Sequence, residues 1–248
     1  HEQNAFPGIT NKILSRYVDK VAITFDEAAE YFKYPERVVN TGNPIRSEIL
    51  NKDKESSYKA LNIESNKPFI LSFGGSGGQK KLNDAILNIL LNNMWNNDFQ
   101  LMHITGKKLY DSFMQELDSR DIVLSKNIRI LPYLYEMPEA LNIANLLISS
   151  SGAITIAETS AIGLPSILIP KSYTAENHQE YNARAFEKAR ASIVILEKDL
   201  TGDILINTIN DLMNNKTKLR IMSINSKKLG NKDATKEIAK LILEIIAK

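Results

Sequence analysis

The stretch Asn145-Leu-Leu-Ile-Ser-Ser-Ser-Gly-Ala-Ile-Thr-Ile-Ala-Glu-Thr-Ser-Ala-Ile-Gly-Leu-Pro-Ser-Ile-Leu-Ile-Pro170 decides the fold. Leu146 to Ile148 is a short apolar run of the kind a buried parallel strand needs. It stops at Ser149-Ser-Ser-Gly152, and Ala153 to Ile162 then alternates apolar and small residues in a helical pattern. Gly163 and Pro165 end that helix, and Ser166 to Ile169 is a second apolar strand. The unit is βαβ, with a glycine at the strand-to-helix turn. The first N–H groups of a helix lack intrahelical partners and carry partial positive charge, so such a turn can hold an anion. Glu158 lies less than two turns beyond Gly152, where a carboxylate can accept both hydroxyls of a ribose. A plain turn followed by a solvated glutamate has the same spacing.

Outward from this unit, strand and helix patterns alternate. Upstream run a helix near Tyr58, strand Phe69 to Phe73, a glycine loop and helix Leu82 to Leu91. Strand Gln100 to Thr105, helix Leu109 to Leu117, strand Ile128 to Leu131 and helix Met137 to Ala144 follow. Downstream come helix His178 to Ala189, strand Ile193 to Leu196 and three amphipathic helices. Short connections between alternating elements predict an α/β domain with a doubly wound, Rossmann-like parallel sheet. Ligands of such sheets sit beyond the carboxyl ends of the strands. Gly74 to Gly78, Gly106, Tyr133 with Leu134, and Ser149 to Gly152 all fall there.

The first third reads differently. Ile9 to Tyr17 is expected to be helical, Lys20 to Thr24 a strand, Glu27 to Phe32 a short helix and Val38-Val39 a strand. Thr41-Gly-Asn-Pro44 is the candidate boundary. The expected organisation is 1–42 as the tail of a preceding domain, 43–47 as linker and 48–248 as the main domain. The opening His1-Glu-Gln-Asn-Ala-Phe-Pro-Gly8 has no Met and reads like the middle of a protein.

The 248 residues suffice for one large or two small domains, with 43% hydrophobic and 24% charged residues. A net charge of +2 gives no argument for a nucleic-acid partner. There is no cysteine, which excludes disulfides and thiolate metal sites. The three histidines are scattered without metal spacing, and no Asp-x-Asp pair is present to hold a metal–diphosphate. No metal and no cofactor are expected. His103, inside a strand, reads as a structural histidine.

Gly74-Gly-Ser-Gly-Gly78 follows a strand and opens a helix, yet it matches neither the P-loop nor G-x-G-x-x-G. Ser76 can donate to a phosphate oxygen, and Arg46 can grip a diphosphate in bidentate fashion. A surface arginine and a tight turn are the competing readings. His178-Gln179 with Asn182 offers the neutral donors and acceptors a sugar requires, as does any exposed helix start.

Taken together, the segments resemble the MurG family, peptidoglycan glycosyltransferases of the two-domain GT-B fold. The stretches that carry the resemblance are His1 to Gly8, Thr41-Gly-Asn-Pro-Ile-Arg46, Phe73-Gly-Gly-Ser-Gly-Gly78, Ser151-Gly-Ala-Ile-Thr-Ile-Ala-Glu158, Gly163-Leu-Pro165 and Asn177-His-Gln-Glu-Tyr-Asn-Ala183. They occur in the family's order along the whole chain. The resemblance implies inverting transfer of N-acetylglucosamine from UDP-N-acetylglucosamine to the lipid-linked muramyl-pentapeptide. It places the parent protein in the cytoplasm, peripherally on the inner face of the bacterial membrane. It further implies that Glu158 binds the ribose and that Ala153, Ile154 and Thr155 face the diphosphate, with Ile156 and Ala157 in the same binding stretch. Leu134, where the family often has Ile, would present backbone to uracil. Ser76 and Arg46 would touch phosphate, and Gln179 and Asn4 the sugar. Gly77 stands where the family commonly has Gln. The family's proposed catalytic histidine, its acceptor site and its membrane patch lie in an N-terminal region without counterpart in this sequence. A stand-alone nucleotide-sugar-binding module and a related GT-B epimerase or glycolipid glycosyltransferase are the alternatives.

Overall fold

Parallel pairing joins Phe69–Phe73 (β3) to Gln100–Ile104 (β4) on one side and to Leu146–Ser149 (β6) on the other. The computed structural model, which describes residues 1–247, builds a six-stranded parallel sheet around that pair. Upstream lie α1 (Ile9–Leu14), β1 (Val21–Ile23), β2 (Val38–Asn40) and α2 (Lys54–Leu61). After β3 come α3 (Lys80–Leu91), β4, α4 (Lys107–Asp118), β5 (Ile128–Leu131), α5 (Met137–Ile143) and β6. The chain continues through α6 (Ala153–Ile162), β7 (Ser166–Leu168), α7 (His178–Lys188) and β8 (Ser192–Val194). It closes with α8 (Gly202–Met213), α9 (Lys216–Leu229) and α10 (Ala234–Ile246).

The strand order is β5-β4-β3-β6-β7-β8. Counted from β3, that is the doubly wound order 3-2-1-4-5-6. The order reverses between β3 and β6, and a crevice opens beyond their carboxyl ends.

Strands buried on both faces sort their side chains by period two. Ile70, Leu101, Ile128, Ile130, Leu146 and Ile148 pack under α3, α4, α8 and α9. Phe69, Leu71, Phe73, Met102, Ile104 and Leu147 meet α2 and α5 on the opposite face. Among the buried polar strand residues, Ser72 and His103 pair across β3 and β4. His103 Nδ1 lies 2.9 Å from Ser72 Oγ, and Nε2 lies 3.1 Å from Asn83 Oδ1. Asn83 Nδ2 donates onward to Thr105 O at 3.0 Å. With the amide committed that way, Nε2–H donates to Asn83 and Nδ1 accepts from Ser72. The histidine is structural, as its place in a strand suggested.

In the first 42 residues, β1 and β2 form a separate parallel pair over a small cluster of Val21, Ile23, Ala28 and Phe32. Ala5 and Phe25 instead pack against Ile156, Leu168 and Phe186 of the main sheet layer. The helix expected over Ile9 to Tyr17 stops at Leu14, because α1 buries none of its residues and a helix this short has little stability of its own. The segment expected as a helix from Glu27 is a 3₁₀ helix, Asp26–Tyr31. Thr41 and Gly42 N–H both donate to Ile23 O, and Asn231 Nδ2 donates to Thr41 O at 2.9 Å.

Candidate functional site: the crevice beyond β3 and β6

Two loops form the floor of the crevice. Gly74–Gly78 leaves β3 and turns through positive φ at Gly75 and Gly78. A Cβ on Gly78 would stand 2.1 Å from Thr105 O, and one on Gly106 would stand 2.8 Å from Gly78 Cα. Only glycine permits these backbones to touch, so the loops after β3 and β4 pack as one layer. The second loop, Ser149–Gly152, leads into α6. The first backbone bond of that helix is Ile156 N–H to Gly152 O, 3.0 Å, and Gly152 supplies no side-chain cap. The N–H groups of Ala153, Ile154 and Thr155 therefore remain open toward an anion.

Beside this end of α6 lies a cavity of about 200 Å³, lined by Arg46, Phe73, Ser76, Leu134, Thr155 and Glu158. Thr155 and Glu158 are three residues apart, which sets them on one face of the helix. Glu158 is only 5% exposed. The Arg46 guanidinium forks onto it, with Nε 2.8 Å from Oε1 and Nη2 3.2 Å from Oε2. That hydrogen bond raises the Arg46 pKa further against the opposing effect of burial, so the cation is permanent. Leu134 is buried, yet no hydrogen bond among the described residues occupies its backbone N–H or C=O. Both groups are available to a planar heterocycle. Tyr133 and Tyr135 line the same cavity, with ring centroids 4.9 Å apart and Lys107 Nζ 5.0 Å from the Tyr133 centroid.

The remaining site candidates lie elsewhere. Each helical residue advances about 100°, so the side chains of Ile156 and Ala157 point away from the crevice. Ile156 packs with Ala5, Phe25 and Phe186, and both residues line a separate cavity against residues 24–27. Ala153 and Ile154 contribute backbone N–H groups at the helix start. Asn4 Oδ1 accepts from Asn182 Nδ2 at 3.0 Å, and Asn182 Nδ2 also reaches Ser151 O at 3.2 Å. The Gln179 carbonyl accepts from Ser151 Oγ at 2.7 Å, while its Oε1 accepts from Lys171 N–H at 3.0 Å. Asn4 and Gln179 thus join the turn before α6 through Ser151 and lie outside the cavity beside Glu158.

Arg46 was expected on phosphate, and here its fork is committed to Glu158. The sequence places Tyr133 at the crevice but gives no hint of Tyr135 as a wall residue or of Lys171. For Tyr135 the signal was present, since it follows β5 at the carboxyl edge of the sheet.

The profile of the family described as "Glycosyltransferase family 28 C-terminal domain" matches residues 69–238. The UDP-N-acetylglucosamine--N-acetylmuramyl-(pentapeptide) pyrophosphoryl-undecaprenol N-acetylglucosamine transferase of Acetivibrio thermocellus is 46% identical over 246 residues. The match covers 99% of this chain and 66% of that protein. The transferase of the same name from Desulforamulus reducens is 43% identical over 250 residues, 99% of this chain and 67% of that protein. This chain therefore spans about two thirds of the length of these relatives. Among solved structures, MurG of Acinetobacter baumannii superposes with a TM-score of 0.78 at 25% identity, over 98% of this chain and 66% of that one. A putative UDP-N-acetylglucosamine 2-epimerase from Listeria monocytogenes shares the fold, with a TM-score of 0.67 at 16% identity, over 94% of this chain and 61% of that one. With the profile spanning most of its length and relatives this similar along all of it, the chain belongs to the MurG family and carries the family 28 C-terminal domain.

Proposed function

We propose that this chain is the donor-binding part of an inverting N-acetylglucosaminyltransferase that uses UDP-N-acetylglucosamine. The observation that carries the reading is the convergence of Glu158, Thr155, Ser76 and the open Leu134 backbone on one cavity, beside an uncapped helix start. Uracil would lie against Leu134, ribose hydroxyls on Glu158, and diphosphate along the first N–H groups of α6 and Ser76. Gln179 and Asn4, tied to Ser151, would meet the sugar beyond the diphosphate.

In the reaction, the acceptor hydroxyl oxygen bonds to the anomeric carbon as the bond from that carbon to the β-phosphate oxygen breaks. The electron pair stays on the departing UDP, and the hydroxyl proton passes to a general base. The resemblance puts that base, a histidine, in an N-terminal region. Residues 1–42 are assigned to the tail of that region, 43–47 to the linker and 48–248 to the donor domain. The acceptor would be the lipid-linked muramyl-pentapeptide, met at the cytoplasmic face of the membrane. No helix of the described residues is long and apolar enough to cross a membrane.

Calorimetric titration tests the reading. UDP-N-acetylglucosamine should bind more tightly than UDP-glucose, and absence of binding by either would overturn the assignment. Turnover of lipid acceptor by this chain alone should be negligible, because half a cleft cannot hold both reactants in register. Family-like turnover in a radiolabel transfer assay would refute the division of labour.

A further inference from the structure

Gly75 leaves a small space open above its backbone. A Cβ there would stand 3.3 Å from Ser150 Oγ and 3.8 Å from Lys171 Nζ. The loop after β3, the turn after β6 and the segment after β7 thus converge on one point, with a hydroxyl and an ammonium closing on it. Lys171 is held from two sides: Nζ donates to Gly78 O at 2.8 Å, and its backbone N–H donates to Gln179 Oε1 at 3.0 Å.

An ammonium has three N–H donors, and only one is used by the protein here. No salt bridge among the described residues takes the Lys171 charge. Glu197, whose field reaches it, is already occupied by Gln79 Nε2 at 2.8 Å and by the backbone N–H and hydroxyl of Ser172 at 2.9 and 2.5 Å. Burial lowers the Lys171 pKa, which marks a cation that has lost water without gaining an equivalent counter-charge. Of the other cations near the crevice, Arg46 is forked to Glu158 at the ribose end and Lys107 lies over the Tyr133 ring.

We infer that Lys171 binds the phosphate of the donor farther from the ribose, together with Ser150 and the open N–H groups of α6. The assignment rests on the donor-site reading above. From Glu158 the diphosphate would run back along α6 to its first turn, and the outer phosphate would arrive over Gly75. There the ammonium supplies a full positive charge where the glycine loop supplies only dipoles.

The test is titration of uridine, UMP and UDP into the unaltered chain and into Lys171→Met, Lys171→Gln and Lys171→Arg. Met keeps the aliphatic stem, and Gln keeps an N–H for Gly78 O without the charge. The unaltered chain should prefer UDP over UMP by about tenfold or more, the scale of a charge-assisted hydrogen bond. Both neutral variants should lose most of that preference with uridine affinity unchanged, while Arg should retain part of it. If Lys171→Gln keeps the full preference, Lys171 is not the phosphate ligand, and the donor site stands without it. If the variants lose uridine and UDP by equal factors, Lys171 only props the glycine loop and the proposal fails. If the unaltered chain binds neither uridine nor UDP, the donor-site reading itself falls, and this inference with it.

Discussion

Arg46 and Glu158, 112 positions apart in the chain, are joined through both oxygens of the carboxylate, at 2.8 and 3.2 Å. The arginine is half exposed, while the glutamate side chain is 7% exposed. The planar fork fixes the orientation of the buried carboxylate, as the proposed ribose contact requires.

The first prediction concerns the glutamate. Glu158→Gln should cost roughly 1–3 kcal/mol of UDP affinity, the scale of hydrogen bonds to a charged acceptor. The loss should be much smaller for 2′,3′-dideoxy-UDP, which offers no hydroxyls. Equal losses for the two nucleotides, read by calorimetry, would make Glu158 structural.

The second concerns its partner. If the guanidinium serves to hold Glu158, Arg46→Met should weaken uridine and UDP by the same factor. A markedly larger loss for UDP would move the guanidinium onto phosphate. Stability should also fall by roughly 1–3 kcal/mol, because Arg46→Met leaves the buried Glu158 carboxylate without its partner. Thermal unfolding of the variant checks that figure.

The third separates two glycines of one loop. Gly78→Ala would force a Cβ to within 2.1 Å of Thr105 O at a residue with φ of +75°, whereas a Cβ on Gly77 meets nothing within 4 Å. Gly78→Ala should lower stability by roughly 1–3 kcal/mol, the scale of backbone strain, and abolish UDP binding. Gly77→Ala should fold normally. A Gly78→Ala protein with unchanged melting temperature would show that the loop has other arrangements.

The fourth prediction uses His103, whose pKa burial depresses from 6.5 to about 3. Between those values the unfolded chain binds a proton that the folded chain refuses. Stability therefore falls as pH drops from 6.5 toward 3, and no contribution is lost above 6.5. At about 1.4 kcal/mol per unit the effect reaches at most about 5 kcal/mol. Urea unfolding at pH 7 and pH 4.5 should show a smaller decline for His103→Gln than for the unaltered chain. Identical declines would assign acid sensitivity to the carboxylates alone.

Much of the sheet was legible because each strand is a short apolar run bounded by glycine, proline or serine. Phe69–Phe73, Ile128–Leu131 and helix Ala153–Ile162 fall where the pattern puts them. The amino-terminal segment was less legible, since the apolar spacing of Ile9, Ile13 and Tyr17 signals a helix whose supporting surface is absent from the described residues. Within the site, Thr155 and Glu158 follow from helical spacing, but treating 153–158 as one binding stretch ignores the rotation that buries Ile156. The Arg46 fork and the Lys171 contact with Gly78 O, across 93 positions, are products of tertiary folding. A lone lysine after a proline carries no sign of either.

The hold of Asn231 on Thr41 has a mechanical consequence. The chain crosses between residues 1–42 and the main sheet at 43–46, and the segment leading into α10 lies against that crossing. Gly230 packs so closely on the backbone of α6 that a Cβ would fall 2.4 Å from the carbonyl carbon of Ser160. Turning residues 1–42 about Pro44 would break the Asn231 Nδ2 bond to Thr41 O and the Ala5 N–H bond to Asn182 Oδ1 together. The stretch 43–46 ends in Arg46, whose fork holds Glu158, so strain at that crossing reaches the carboxylate. Under the proposed donor site, ribose occupancy and the setting of that crossing would be linked, each biasing the other by the same free energy.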